Sequence, residues 1–261
     1  MKSDTLAFFK RWFAGYVAAY HTEGVDSRNI KLKEKHTEQV CKEILMLGRA
    51  LNLSAEDLLL AETMALFHDI GRFKQYATYG NFNDSLSENH AELGLRELAK
   101  HKVLSVCSEA EQLLITQAIR YHNVRVLPEI EDPRCLFFSR LLRDADKLDI
   151  YRVVIDYYKY RQKERNTTIE LGLPDTQSCS PPILDAIRQR KIAYLKDMAT
   201  LNDFKLLQIS WVFDLNYTPT FCAVHERRYV EQIAATLPQT GEISKLLATV
   251  EAYVRERAGI C

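Results

Sequence analysis

His68 and Asp69 stand side by side at the end of an apolar run, Leu58-Leu-Leu-Ala-Glu-Thr-Met-Ala-Leu-Phe67, and Ile70-Gly71-Arg72 follows at once. Together they offer an imidazole nitrogen and a carboxylate from one short piece of backbone. Neighbouring helical positions diverge by about 100°, so both groups reach one point only where a helix is ending. Gly71, which tolerates the left-handed conformation, reads as the mark of that end. The dipeptide alone occurs by chance in many chains. It gains weight from His36 upstream and from His90, His122 and Asp146 downstream. Imidazole plus carboxylate suits iron, manganese, zinc or nickel better than calcium, which prefers oxygen ligands throughout. Read together, these six residues describe a metal site.

A lone histidine is more often an ordinary buried or surface group, because buried polar groups commonly find everyday partners. His21, His101 and His225 keep that reading, since no second ligand type lies near them in sequence. The others sit in or beside helical segments. His36 opens His36-Thr-Glu-Gln-Val40, His90 follows Ser87-Glu-Asn89, and His122 follows Leu113-Leu-Ile-Thr-Gln-Ala-Ile119. With Ser87 or Asn89 as a cap, His90 falls in the first turn of a helix, whose positive dipole end disfavours the imidazolium. The neutral ring is the form that ligates metal.

The elements that must hold these groups are helices. Ser54-x-x-Asp57 and Ser108-x-x-Glu111 have the form of capping boxes ahead of apolar runs. Ser180-Pro181 and Thr218-Pro219 place a capping hydroxyl before a proline suited to a first turn. Phe9, Trp12 or Phe13, Tyr16 and Tyr20 recur at helical spacing and read as a packing face. Helical patterning resumes after a Pro/Ser/Thr-rich stretch, with helices expected over 183–201, 206–215, 229–237 and 243–257. Strand alternation and internal repeats are absent. The fold class expected is all-α.

The chain resembles the HD-domain metal-dependent phosphohydrolase superfamily. The resemblance rests on His36-Thr37, Ala65-Leu-Phe-His-Asp-Ile-Gly-Arg72, His90-Ala-Glu-Leu-Gly94, Tyr121-His122 and Asp144-Ala-Asp-Lys-Leu-Asp149. The minimal family pattern, a histidine, a His-Asp pair and a distal aspartate, is matched by His36, His68-Asp69 and Asp146. His90 and His122 match the two further histidines of branches with two metals. The cyclic-dinucleotide phosphodiesterase branch also carries a doubled histidine and Gly-Tyr-Pro; this chain has Tyr121-His122-Asn123 and no Gly-Tyr-Pro.

The resemblance implies a helical bundle over residues 1–165 with a core at about 30–155. A connector at 166–182 and a helical C-terminal extension at 183–261, packed on the core, would complete the chain. It implies one metal held by His36, His68, Asp69 and Asp146 and a second by Asp69, His90 and His122. The two oxygens of Asp69 make it the natural bridge and a catalytic group. Two divalent ions per chain are expected, iron or manganese ahead of zinc, nickel or magnesium. Asp149, one helical turn from Asp146, is expected behind the ligands, while Asp144 lies about 200° round the helix from Asp146.

Arg72 is the second catalytic candidate, because its planar fork can grip a phosphate. Asp84 and Asn89 join it as weaker substrate-binding candidates, with helix capping the more economical role for the latter two. The basic-aromatic run Tyr157-Tyr-Lys-Tyr-Arg161, with Lys163 and Arg165, reads as a solvated helix face rather than a phosphate contact.

The implied activity is hydrolysis of a nucleotide or another small phosphate ester. Two alternatives stay open: a metal- and nucleotide-binding sensor without turnover, and a di-iron oxygenase on the same scaffold. Lys plus Arg and Asp plus Glu number 35 each, so no net field recruits a nucleic-acid polymer or an anionic membrane. No glycine-rich phosphate loop is present. Residues 1–21 are interrupted by Lys2, Asp4, Lys10 and Arg11, unlike a signal peptide's apolar centre, and no stretch is apolar enough to span a bilayer. The six cysteines are scattered, without Cys-x-x-Cys spacing. They read as reduced thiols, and a cytoplasmic location is expected. Partners beyond the small substrate reduce to a homo-oligomer, which nothing in the sequence decides.

Overall fold

The computed structural model describes residues 1–21, 27–129, 132–163, 165–166 and 169–260. Every regular element among them is helical. In chain order they are α1 (Ser3–Ala18), α2 (Arg28–Ala50), α3 (Ala55–Phe67), α4 (Ile70–Tyr79), α5 (His90–Lys100), α6 (Glu109–Tyr121), α7 (Pro133–Tyr160), α8 (Pro181–Arg188), α9 (Leu201–Ser210), α10 (Thr218–Glu226), α11 (Tyr229–Ala234) and α12 (Gly241–Ala258), with three short 3-10 turns between them. The fold is all-α. No helix among the described residues is long and apolar enough to cross a membrane.

Two compact units make up the chain, Met1–Asp149 and Ile150–Cys261. The division falls inside α7, so the segment 166–182 belongs to the second unit instead of separating the two. Between Arg134 and Tyr160, α7 has no proline or glycine to mark such a division in composition.

In the first unit α3 is the central element. Ser54 caps it by accepting from the Asp57 amide at 3.1 Å, and every residue from Leu60 to Phe67 is buried. A helix apolar on all sides belongs in a core. The aromatic stripe of α1 packs there: Phe9 meets Phe67 edge-on at 5.3 Å and Phe13 meets Phe73 at 5.8 Å. Each such ring contributes roughly 1.5–3 kcal/mol by leaving water. Ser108 and Glu111 close the expected capping box at the start of α6.

Gly71 departs from expectation. It does not adopt a left-handed conformation; it is the second residue of α4. The helix break lies two residues earlier, where Asp69 takes φ −105° and ψ 14° between α3 and α4. Gly71 is required for space. A Cβ there would collide with the His90 carbonyl oxygen and come within 2.6 Å of the Gly94 amide nitrogen. The true left-handed cap is Gly80, at φ 68°, which ends α4.

In the second unit, the helix expected over 183–201 stops at Arg188, and α9 starts afresh at Leu201. The Asp203 carboxylate explains the restart, because it accepts from the amides of Ser180, Ala199 and Thr200 at 2.6, 2.9 and 3.0 Å. Ser180 Oγ also turns to Asp203, at 2.7 Å, and so does not cap α8. Thr218 is the first residue of α10, not its cap. The basic-aromatic run is divided: Lys159, Tyr160, Lys163 and Arg165 are exposed, as a solvated face requires, whereas Tyr157 and Arg161 turn to buried Glu170. The Tyr157 hydroxyl donates to Glu170 at 2.6 Å, Arg161 pairs with Glu170 and with Asp175, and Arg165 reaches Glu170 at 3.4 Å.

Candidate metal centre

Five stretches of the first unit deliver the site. α2 contributes His36 from its buried face, and the α3–α4 break presents His68 and Asp69 together. His90 is the first residue of α5, whose cap Asn89 accepts from the amides of Ala91 and Glu92. His122 flanks the end of α6, where buried Arg143 donates to the carbonyls of Tyr121 and His122 at 3.1 Å each and also to Val124. Asp146 and Asp149 come from α7.

The groups converge as two clusters that share one carboxylate. His36 Nε2 lies 3.1 Å from Asp146 Oδ1, 3.3 Å from His68 Nε2 and 3.5 Å from Asp69 Oδ2. His68 Nε2 is 3.6 Å from both Asp69 Oδ2 and Asp146 Oδ1. On the other side of Asp69, Oδ1 lies 3.3 Å from His90 Nε2 and 3.8 Å from His122 Nε2. The sets His36, His68, Asp69 and Asp69, His90, His122 each bring one ligand atom per residue within 4.8 Å of the others.

The far nitrogens decide where the protons sit. His68 Nδ1 faces the Ala65 carbonyl at 2.7 Å and His122 Nδ1 faces the Ile119 carbonyl at 2.6 Å. A carbonyl only accepts, so Nδ1 carries a proton in both rings, and the neutral tautomer this selects is the one with Nε2 free to ligate. His90 Nδ1 faces Asp84 at 2.7 Å. Burial, aided by the Arg72 charge, pushes the His90 pKa down to about 3, so this ring is neutral at ordinary pH with its proton toward Asp84.

In those neutral tautomers the Nε2 atoms of His90 and His122 face each other at 2.9 Å beside a carboxylate oxygen. Three acceptors without a donor repel one another unless a cation lies among them. In the other cluster, Asp146 Oδ1 is buried without a hydrogen-bond partner. His36 has carboxylates at both nitrogens. Burial and Lys33 lower its pKa, but Asp146 and Asp149 outweigh them and raise it. A proton on its Nε2 stands where a metal ion would displace it. The donor set, neutral imidazoles backed by oxygen acceptors plus a two-oxygen carboxylate, fits divalent transition metals.

Both aspartates stay ionised. Burial raises their pKa values, yet the Lys33 ammonium holds Asp69 well below the carboxylate range, and His36, whose Nε2 lies 3.1 Å from Oδ1, does the same for Asp146.

Of the weaker candidates, Arg72 anchors one nitrogen, Nη1, on Gln75 Oε1, the Phe82 carbonyl and Asp84 Oδ1 at 2.7, 2.7 and 2.8 Å. Its Nε faces Asp69 Oδ1 at 3.5 Å. Asp84 caps no helix. It collects Arg72, Gln75, His90 and Asn123 as donors, so it fixes the His90 ring and the Arg72 fork together. Asn89 caps α5. Three participants escape sequence reasoning. Lys33 contacts Asp69 Oδ2 at 2.7 Å. Buried Gln75 ties Asp84, Ser87 and the Glu88 carbonyl into one loop at 2.8–2.9 Å. Phe82 presents its ring to Lys33 and Arg72. Only Lys33 has a signal in the chain, its position one turn before His36.

Residues 34–158 match the family model of the HD domain. Over these residues the chain is similar to the HD domain. The match encloses His36, the His-Asp break, His90, His122, Asp146 and Asp149, while Lys33 falls one residue outside it. Comparison with curated proteins and with solved structures gives no match. The matched segment holds two groups of candidate metal ligands that share Asp69.

Proposed function

We propose that this HD domain is a metal-dependent phosphohydrolase that acts on a small phosphate ester, with nucleotides as the leading substrate class. The observation that carries the reading is the apposed pair of ring nitrogens, His90 and His122 Nε2 at 2.9 Å, beside a carboxylate shared with a second imidazole cluster. Such an arrangement serves cations on both sides of Asp69.

His36, His68, Asp69 and Asp146 would hold one divalent ion, and Asp69, His90 and His122 a second. Bound there, divalent ions lower the pKa of a coordinated water from about 16 toward 7 and offset charge on phosphoryl oxygens. The remaining work belongs to the chain. Asp149 and Asp84 accept from the Nδ1 of His36 and His90 at 2.7 Å each, and the carbonyls of Ala65 and Ile119 do the same for His68 and His122. These bonds hold each ring in the ligating tautomer and aim it. Arg72, fixed by Asp84, is placed to meet substrate charge.

The test is a screen of phosphate monoesters, diesters and nucleotides with chelator-stripped protein reloaded with manganese or iron(II). Turnover that vanishes on stripping and returns with metal is the expected result. Tight nucleotide binding without turnover under every metal would replace the enzyme with a sensor, and oxygen consumption without phosphate release would replace it with an oxygenase.

A further inference from the structure

Lys33 sits three positions before His36, on the same face of α2. Its ammonium lies 2.7 Å from Asp69 Oδ2 with only 17% of the side chain exposed, and 5.5 Å from the centroid of the Phe82 ring. Arg72 approaches the opposite oxygen of the same carboxylate, and its guanidinium lies 5.8 Å from the same ring. Arg72 Nη1 is committed to three acceptors, whereas its Nε is buried without a hydrogen-bond partner. Two cations thus flank Asp69 across one aromatic ring, each with donor capacity left over. Lysine offers three donors, and one is used here.

The simplest role for Lys33 is counter-ion to a buried aspartate. That role becomes redundant once divalent cations share Asp69, and a lysine beside them then adds unfavourable positive charge. Such surplus charge is useful when the site must also take an anion. We propose that Lys33 is a phosphate-binding residue of the site, gripping the substrate phosphoryl group opposite Arg72, with Phe82 packing against both cations to hold them apart. The inference rests on the phosphohydrolase reading and adds to it the residue that recognises the dianionic phosphate.

The two roles differ in sign. A counter-ion that positions Asp69 helps metal binding, so its loss weakens metal affinity. A phosphate ligand opposes metal charge, so its loss leaves metal affinity unchanged or tighter while anion affinity falls. The experiment is calorimetric titration of manganese into stripped protein, then of inorganic phosphate into manganese-loaded protein, for wild type, Lys33→Met and Lys33→Arg. Lys33→Met should bind manganese at least as tightly as wild type and phosphate about 10- to 100-fold more weakly, as expected for a lost hydrogen bond to a charged group; Lys33→Arg should recover most of the phosphate affinity. Should Lys33→Met fail to fold, Lys33→Gln provides the same comparison. Phosphate affinity equal to wild type in the neutral variant overturns the proposal, as does weakened manganese binding. Either result leaves the phosphohydrolase reading standing. Wild-type protein that takes up manganese and binds no phosphate overturns both.

Discussion

Asp69→Ala is expected to lower metal-dependent ester hydrolysis by about 10³-fold or more, at least the scale seen when one preorganised charge-stabilising group is removed from an active site. Among the described residues Asp69 is the one carboxylate whose two oxygens face different imidazole pairs: Oδ2 lies 3.5 and 3.6 Å from His36 and His68, and Oδ1 lies 3.3 and 3.8 Å from His90 and His122. Alanine removes a ligand from both clusters at once. It also leaves the Lys33 ammonium buried without its acceptor, which costs about 1–3 kcal/mol of stability. Circular dichroism should therefore show an intact helical signal with a modestly lowered melting temperature, and the two metal affinities should fall together. Near wild-type turnover at saturating manganese in Asp69→Ala would remove the shared carboxylate from the mechanism.

The second large effect comes from a residue that carries no chemistry. Gly71→Ala places a methyl group against the His90 carbonyl and the Gly94 backbone. The obstructing atoms are main-chain atoms at the start of α5, so no side chain can rotate aside. The α4–α5 contact must open instead, at a cost of about 3 kcal/mol or more. For a chain of this size that corresponds to a fall of roughly 6–12 °C in melting temperature. The helix that has to move is the one that begins with His90, so the His90–His122 cluster should loosen more than the His36–His68 cluster. Metal titration monitored beside thermal melting checks both parts. A melting temperature within about 2 °C of wild type would show that the close approach of α4 and α5 is dispensable.

Gly71 also shows where sequence reasoning runs out. A glycine just after an apolar helical run has the same local signature whether it ends a helix or admits a neighbouring backbone, and only the position of α5 separates the two. Asp84 is similar: its distance of six residues from His90 has no helical meaning, and the pairing exists because the loop after Gly80 folds back on Gln75. Lys33 has a local signal in its spacing from His36, but a lysine on a helix is common and spacing does not say whether it faces water or a carboxylate. Buried Glu170 gathers Tyr157, Arg161 and Arg165 from across a break in helix, so part of a run that reads as solvated is tied to one carboxylate.

The all-α class was legible because caps and periodicity are local. Ser54, Ser108 and Asn89 act within three residues of the amides they satisfy. The convergence of His36, His68, Asp69, His90, His122 and Asp146 was legible for another reason. Chemistry restricts which residue types serve a metal, and the family pattern supplies the register that spacing alone lacks. Asp146 lies against His36 and His68, and Asp149, one turn along α7, accepts from His36 Nδ1.

The central claim is that two cation sites share Asp69, and metal stoichiometry tests it most directly. Stripped wild-type protein titrated with manganese should saturate at two equivalents per chain, and His90→Ala at one, with the first equivalent bound about as tightly as in wild type. Saturation of wild type at a single equivalent, with His90→Ala unchanged in both stoichiometry and affinity, would contradict it.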